Sequence, residues 1–275
     1  LQETEQTTDS FIDGMIDALI AKPSGPDQFT APCPDWFGGH VFGGLIVAQA
    51  LSASSATVPD DRRVHSLHGH FLRPSQTGVP FGLQVERIRD GNSFTTRRVA
   101  TTQNDKEVFS MTASYHAGDK GDEYQLPFAA EIPSPEDLPP GPQDWPIDVR
   151  ELGATPPGPD GTHRSTARMW LRLKKPLGES PAVHEAVLAY ISDMTRTGGR
   201  PPSLGYPDTF EGLISLDHAV WFHRPIRPDE WLYYDLHVSI LVAGRSLLRG
   251  TIHTADGKLG LTMTQEMLIR PPRAS

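Results

Sequence analysis

The chain has one cysteine, Cys33, in 275 residues. An internal disulfide is therefore excluded. A reducing, cytoplasmic setting is expected, with Cys33 a structural or surface thiol. No run of 18 apolar residues occurs, so no membrane-spanning helix is expected. No secretory signal is visible, and a start at Leu1 rather than Met reads as a trimmed or processed start. Positive charge is in deficit, with Lys+Arg 25 against Asp+Glu 34 and a net charge of −9. Broad nucleic-acid binding is not expected, although local basic clusters can still hold an anionic ligand. The G-x-S-x-G elbow and the G-x-x-x-x-G-K-[ST] loop are both missing, which disfavours an α/β-hydrolase and a P-loop NTPase. His184-Glu185 lacks the second histidine of H-E-x-x-H. His65, His68 and His70 are close in sequence, but a strand would put only His68 and His70 on one face. No metal site is expected.

What the chain does have is an internal repeat. Phe71–Pro74 (FLRP) and Phe222–Pro225 (FHRP) are the same step, and Arg73 and Arg224 stand 151 positions apart. The same offset carries Arg98 onto Arg249 and Asp105 onto Asp256, and a one-residue gap then carries Met111 onto Met263. Two copies of one small domain are expected. We place an N-terminal helix and first repeat in 1–118, a Pro/Gly-rich linker in 119–165, and the second repeat in 166–275.

Residues 8–20 read as an amphipathic helix with Phe11, Ile12, Met15, Ile16, Leu19 and Ile20 as its stripe, ended by Gly25 and Pro26. Residues 41–53 are apolar on nearly all sides, as in a buried central helix. Residues 180–194 read as a second central helix, with Ser180 as N-cap and Pro181 in its first turn. Strands with an Asp90-Gly91 turn follow the first central helix, an order that suits an α+β layer fold. Residues 195–205 read as a loop. In the last strand Leu261, Met263, Gln265, Met267 and Ile269 share one face, and a polar amide among them must be hydrogen-bonded.

The segments VFGGLIVAQAL (41–51), VHSLHGHFLRP (64–74), DGNSFTTRRVA (90–100), SLDHAVWFHRP (215–225) and TQEMLIR (264–270) together resemble the acyl-coenzyme A thioesterase II family. The resemblance implies a double hotdog, two tandem repeats each with a central helix wrapped by an antiparallel sheet. It implies hydrolysis of fatty acyl-CoA and a homo-oligomer, dimer or tetramer. It also implies a water-holding triad of Asp193 (after Tyr190-Ile191-Ser192), Ser215 (two residues before Asp217-His218) and Gln265. Ser215 stands where Thr is common in the family.

The residue types suit the reaction. A carboxylate can take a proton from water, and hydroxyl and amide groups can aim it, so no cofactor is required. Burial and the helix C-terminus are expected to raise the pKa of Asp193. The equivalents in the first repeat are Ser52, Val64 and Ala113, none of them a base, so one active site per chain is expected. Gly43 and Gly44 open the first central helix, either to polarise the thioester carbonyl or to allow close packing. Arg87, Arg89, Arg97, Arg98 and Arg245 are candidates for the CoA phosphates. Phe42 and Met263, with Leu45 and Met267, are candidates for the acyl chain. The alternatives are a non-catalytic acyl-CoA binding protein and a hotdog enoyl-CoA hydratase.

Overall fold

The structure, a computed structural model, describes residues 2–128, 132–143, 145–195 and 213–269. Of the loop expected over 195–205 only Thr195 falls among them, and Arg270 lies outside them. The chain forms two compact units that cut across its linear order. One holds Leu1–Glu123, Leu177–Met194 and Asp217–Phe222; the other holds Tyr124–Pro176, Thr195–Leu216 and His223–Ser275.

The first unit opens with α1 (Gln2–Leu19). Its buried side is Ile12, Met15, Ala18 and Leu19, while Phe11 is largely exposed and meets Trp36 edge-on. The helix stops at Leu19, well short of the expected Gly25-Pro26. Pro23 lacks an N–H and disfavours helical geometry at Lys22, and the N–H of Ala21 is taken by Ser52 Oγ at 3.2 Å. Gly25 and Pro26 instead help turn β1 (Lys22–Gly25) into β2 (Gln28–Ala31), with Asp27 at φ 52°.

Helix α2 (Gly43–Ser55) is buried from Gly44 to Leu51, as its all-round apolar character demands. Its one long polar side chain, Gln49, is held inside through Nε2, which donates to the carbonyls of Ala18 and Pro32, each at 2.7 Å, while its buried Oε1 has no hydrogen-bond partner among the described residues. Strands β3 (Arg63–Phe71), β4 (Phe81–Asp90), β5 (Phe94–Gln103) and β6 (Lys106–His116) follow. Helix α3 (Pro181–Ser192) and β10 (Asp217–Phe222), although later in sequence, belong to this unit. α3 packs on α2. Ser180 takes the N-cap position without a side-chain cap bond, and Pro181 opens the helix. The sheet order within the unit is β1-β2-β4-β5-β6-β3-β10.

The second unit is built from β7 (Ile147–Glu151), β8 (Ala167–Leu173), β9 (Leu213–Ser215), β11 (Leu232–Val242), β12 (Arg245–Thr254) and β13 (Leu259–Ile269). Its order is β7-β8-β11-β12-β13, with β9 on β13. The Pro/Gly-rich segment supplies β7 and is tied down where Trp170 Nε1 donates to the Pro133 carbonyl at 2.9 Å. Trp145 is half-buried.

The repeat is visible strand by strand. Phe81 and Leu232 open β4 and β11, Phe94 and Arg245 open β5 and β12, and each pair is 151 positions apart. On β13 the alternation is complete: Leu261, Met263, Gln265, Met267 and Ile269 are all buried. No described helix is long and apolar enough to cross a membrane.

Candidate active site

Asp193 caps the C-terminus of α3 at φ −86°, ψ 1° and is 5% exposed. The start of α2 lies directly against it. A Cβ on Gly43 would stand 2.7 Å from Asp193 Oδ2 and 2.9 Å from Phe71 Cζ. A Cβ on Gly44 would stand 2.5 Å from the Tyr190 carbonyl oxygen and 2.5 Å from Phe42 Cε1. The Gly43-Gly44 pair thus has a packing reason: only glycine lets the two helix ends come this close. The same closeness exposes the carboxylate to two opposed helix ends. The C-terminus of α3 disfavours its charge, and the first-turn N–H groups of α2 favour it. Phe42 is half-buried and packs edge-on against Tyr190 with ring centroids 4.9 Å apart.

His218, on β10, is wholly buried beside Asp193, its Nδ1 3.9 Å from Asp193 Oδ1 and its Nε2 2.8 Å from Ser192 Oγ. Burial pushes its pKa down to about 4, so the ring is neutral near pH 7. Nδ1 has no hydrogen-bond partner. Ser192 Oγ donates its one proton to the Ala189 carbonyl at 2.8 Å, so it accepts from His218 Nε2–H.

In the second unit Gln265 is fully buried, and both ends of its amide are held. Nε2 donates to Ser215 Oγ at 2.8 Å, and Oε1 accepts from Thr195 Oγ1 at 3.0 Å. The strands explain why: Ser215 on β9 lies across from Met267 on β13, two residues along from Gln265 on the same face. Thr195 is 2% exposed and was not anticipated. Its one sequence cue is a hydroxyl two residues past Asp193, in a segment that otherwise reads as loop.

The first repeat shows what occupies the matching places. Helices α2 and α3 begin at Gly43 and Pro181, so counting from their starts puts Ser55, not Ser52, at the position of Asp193. Ser52 is instead spent on the N–H of Ala21. Ser54 and Ser55 bond the buried Tyr115 hydroxyl. Across the strands Arg97 pairs with Ala113, where Leu248 pairs with Gln265 in the second repeat.

The candidate arginines separate. Arg97 is 0% exposed, and all five of its donors are taken: by the Thr57 hydroxyl and carbonyl, the Arg89 and Thr96 carbonyls, and Asp90. It has no donor left for a phosphate, so its role is to hold the first repeat together. Arg87 is exposed and bidentate to Asp27, Arg98 pairs with Glu86 across the strands, and Arg245 pairs with Glu266 at 2.9 Å. Arg89 is exposed. A surface cleft of about 370 Å³ is lined by Thr57, Arg62, Arg87, Asp90 and Arg97 among others, and none of Asp193, Ser215 and Gln265 lines it. Met263 is wholly buried against Gly250.

Two long buried helices and long antiparallel strands that recur at an offset of 151 positions are the elements of a double hotdog thioesterase. Residues 33–116 match the model of the acyl-CoA thioesterase N-terminal domain, and residues 125–269 that of the acyl-CoA thioesterase C-terminal domain. The chain is 31% identical over 256 residues to acyl-CoA thioesterase 2 of Haemophilus influenzae, which covers 84% of this chain and 88% of that protein. To human acyl-coenzyme A thioesterase 8 it is 30% identical over 257 residues, covering 84% and 81%. The crystal structure of an acyl-CoA thioesterase II from Mycobacterium marinum superposes with a TM-score of 0.81 at 34% identity, covering 95% of this chain and 99% of that one. The chain belongs to the acyl-CoA thioesterase family and is an acyl-CoA thioester hydrolase.

Proposed function

We propose that the chain hydrolyses fatty acyl-CoA through a water activated by Asp193 and aimed by Ser215 and Gln265. The observation that carries this reading is Gln265, a fully buried amide pinned at both ends by hydroxyls on an otherwise apolar strand face. A buried amide costs free energy and earns its place by packing or by chemistry; the first repeat uses alanine there. Asp193 takes a proton from water as the water oxygen bonds to the thioester carbon. The first amides of α2 are the natural donors to the carbonyl oxygen as it gains charge. Collapse breaks the C–S bond, and the proton returns to the thiolate to give free CoA thiol and the carboxylic acid. Phe42, Met263, Leu45 and Met267 are assigned to the acyl chain, and Arg87, Arg89, Arg98 and Arg245 to the CoA phosphates.

The active form is assigned as a homo-oligomer, dimer or tetramer. Among the described pairings β8 covers only Leu232–Leu236 of β11, and Ile240 and Val242 beyond it are about half exposed. Such an edge favours strand pairing with another copy.

The test is thiol release from acyl-CoA esters, C4 to C18, for wild type beside Asp193→Ala. A rate that peaks at some chain length and collapses in the variant supports the reading. Equal low rates in both proteins, with acyl-CoA still bound, would make the chain a binding protein instead.

A further inference from the structure

We infer that His68, His70 and Asp217 form a surface site for a divalent transition-metal ion of the zinc class. His68 and His70 are two residues apart on β3, both exposed and on one face of the strand. β10 runs antiparallel beside it, with Asp217 directly across from His70 and Ala219 across from His68. The sheet register thus places the carboxylate on the face that carries the two imidazoles. Ala219 adds only a methyl between them.

The geometry is already close to that of a ligand set. One ligand atom from each residue can be chosen so that all three lie within 4.8 Å of one another. His68 Nε2 is 3.3 Å from Asp217 Oδ2, and the two imidazole centroids are 4.8 Å apart. Ligands held about 2.0–2.2 Å from a tetrahedral zinc stand roughly 3.3–3.6 Å from each other. The His68–Asp217 separation falls there as it stands, and rotation of the exposed His70 ring brings in the third. Two imidazoles and one carboxylate select zinc, nickel, cobalt or copper over magnesium and calcium, which prefer all-oxygen shells. Three protein ligands leave the outward positions to water. Strand alternation alone reveals two ligands; the third comes from a residue 147 positions further along the chain. The site is independent of the thioesterase reading.

The test titrates the full-length protein with zinc chloride by isothermal calorimetry near pH 7.5, with magnesium chloride as control, and follows cobalt(II) binding by its visible spectrum. We expect one zinc per chain and no magnesium heat. The double variant H68Q/H70Q should weaken zinc binding by more than about tenfold, because both nitrogen ligands are lost. Asp217→Asn should weaken it while keeping both rings. Because His68 and His70 are exposed, the double variant should keep the wild-type melting temperature and basal thioester hydrolysis. Stoichiometric zinc binding that survives in H68Q/H70Q with unchanged affinity would overturn the assignment, as would a wild type that binds zinc no better than magnesium.

Discussion

Gly43→Ala separates packing from chemistry at the helix junction. Helix propensity alone predicts a gain, since alanine is favoured over glycine by about 1 kcal/mol in a helix interior and by less in the first turn. Sterics oppose it. The new methyl would meet Asp193 Oδ2 at 2.7 Å and Phe71 Cζ at 2.9 Å, both closer than van der Waals contact. Neither obstacle is backbone. A carboxylate can rotate and a ring can tilt, so the folding cost is at most the roughly 1–3 kcal/mol of a mild overpacking, offset in part by propensity. The group that must yield, however, is the proposed base. A displacement of about 1 Å in a catalytic group costs roughly 100-fold in rate. The expected result is a melting temperature within a few degrees of wild type and kcat lowered by about two orders of magnitude. The assay is thiol release under saturating acyl-CoA, with thermal unfolding run in parallel. A variant with wild-type kcat and a raised melting temperature would refute the argument, because Asp193 would then be either unmoved or unimportant. Gly44→Ala should differ in kind. Its methyl would meet the Tyr190 backbone carbonyl at 2.5 Å, which cannot swing aside, so stability should fall with activity.

Further outcomes follow from the same geometry. Thr195→Val leaves the buried Gln265 Oε1 without its Thr195 donor, so it should cost about 1–3 kcal/mol by chemical denaturation and lower kcat more than it raises KM. Arg97→Ala should destabilise by more than about 2 kcal/mol, since it strips five internal hydrogen bonds, whereas Arg98→Ala should leave stability nearly unchanged and act, if anywhere, on KM. His218 links stability to pH. Its folded pKa of about 4 lies below the ordinary 6.5, so the unfolded chain binds the extra proton, and its contribution is lost as pH falls through the window from 6.5 to 4. At pH 4.5 that loss is roughly 2–3 kcal/mol, and urea unfolding at pH 7 and 4.5 should show a smaller difference in His218→Gln than in wild type.

Much of the fold was legible because its signals are local. The helix at 43–55 is apolar on nearly every side, the face of β13 alternates from Leu261 to Ile269, and the repeat offset holds across two strand pairs. The misses have physical causes. Gly25-Pro26 is the stronger stop signal for α1 in the sequence, but Pro23 and the captured N–H of Ala21 act earlier. Arg97 and Arg98 look like one basic cluster in sequence, yet strand alternation sends neighbours to opposite faces, one wholly buried and one exposed. That signal was present in the sequence. The sequence repeat sets Ser52 against Asp193, whereas the helix starts bring Ser55 to that place. Thr195 and the His68–Asp217 approach were not legible, since both depend on which distant strands become neighbours.

The two repeats differ in the polar groups they bury, which bears on the proposal of a single reactive site. In the first repeat a long arginine on β5 faces an alanine on β6; in the second a leucine on β12 faces a glutamine on β13. The larger polar side chain has moved from one strand to its neighbour, so the pair still fills the sheet face. The moved group changes function with its strand. Arg97 spends its donors on backbone carbonyls and Asp90, which fixes the Asp90 turn and the end of α2. Gln265 can both donate and accept, and its partners are two hydroxyls that are themselves donors and acceptors. An amide and a hydroxyl can each donate and accept, whereas a guanidinium only donates and all five donors of Arg97 are occupied. Ser54, Ser55 and Tyr115 close the matching helix end of the first repeat with a buried hydroxyl cluster, and burial pushes the Tyr115 pKa far up. None of these three hydroxyls can take a proton near neutral pH. The asymmetry therefore lies in hydrogen-bonding capacity rather than in shape, and for that reason a single catalytic centre is assigned to two copies of the same fold.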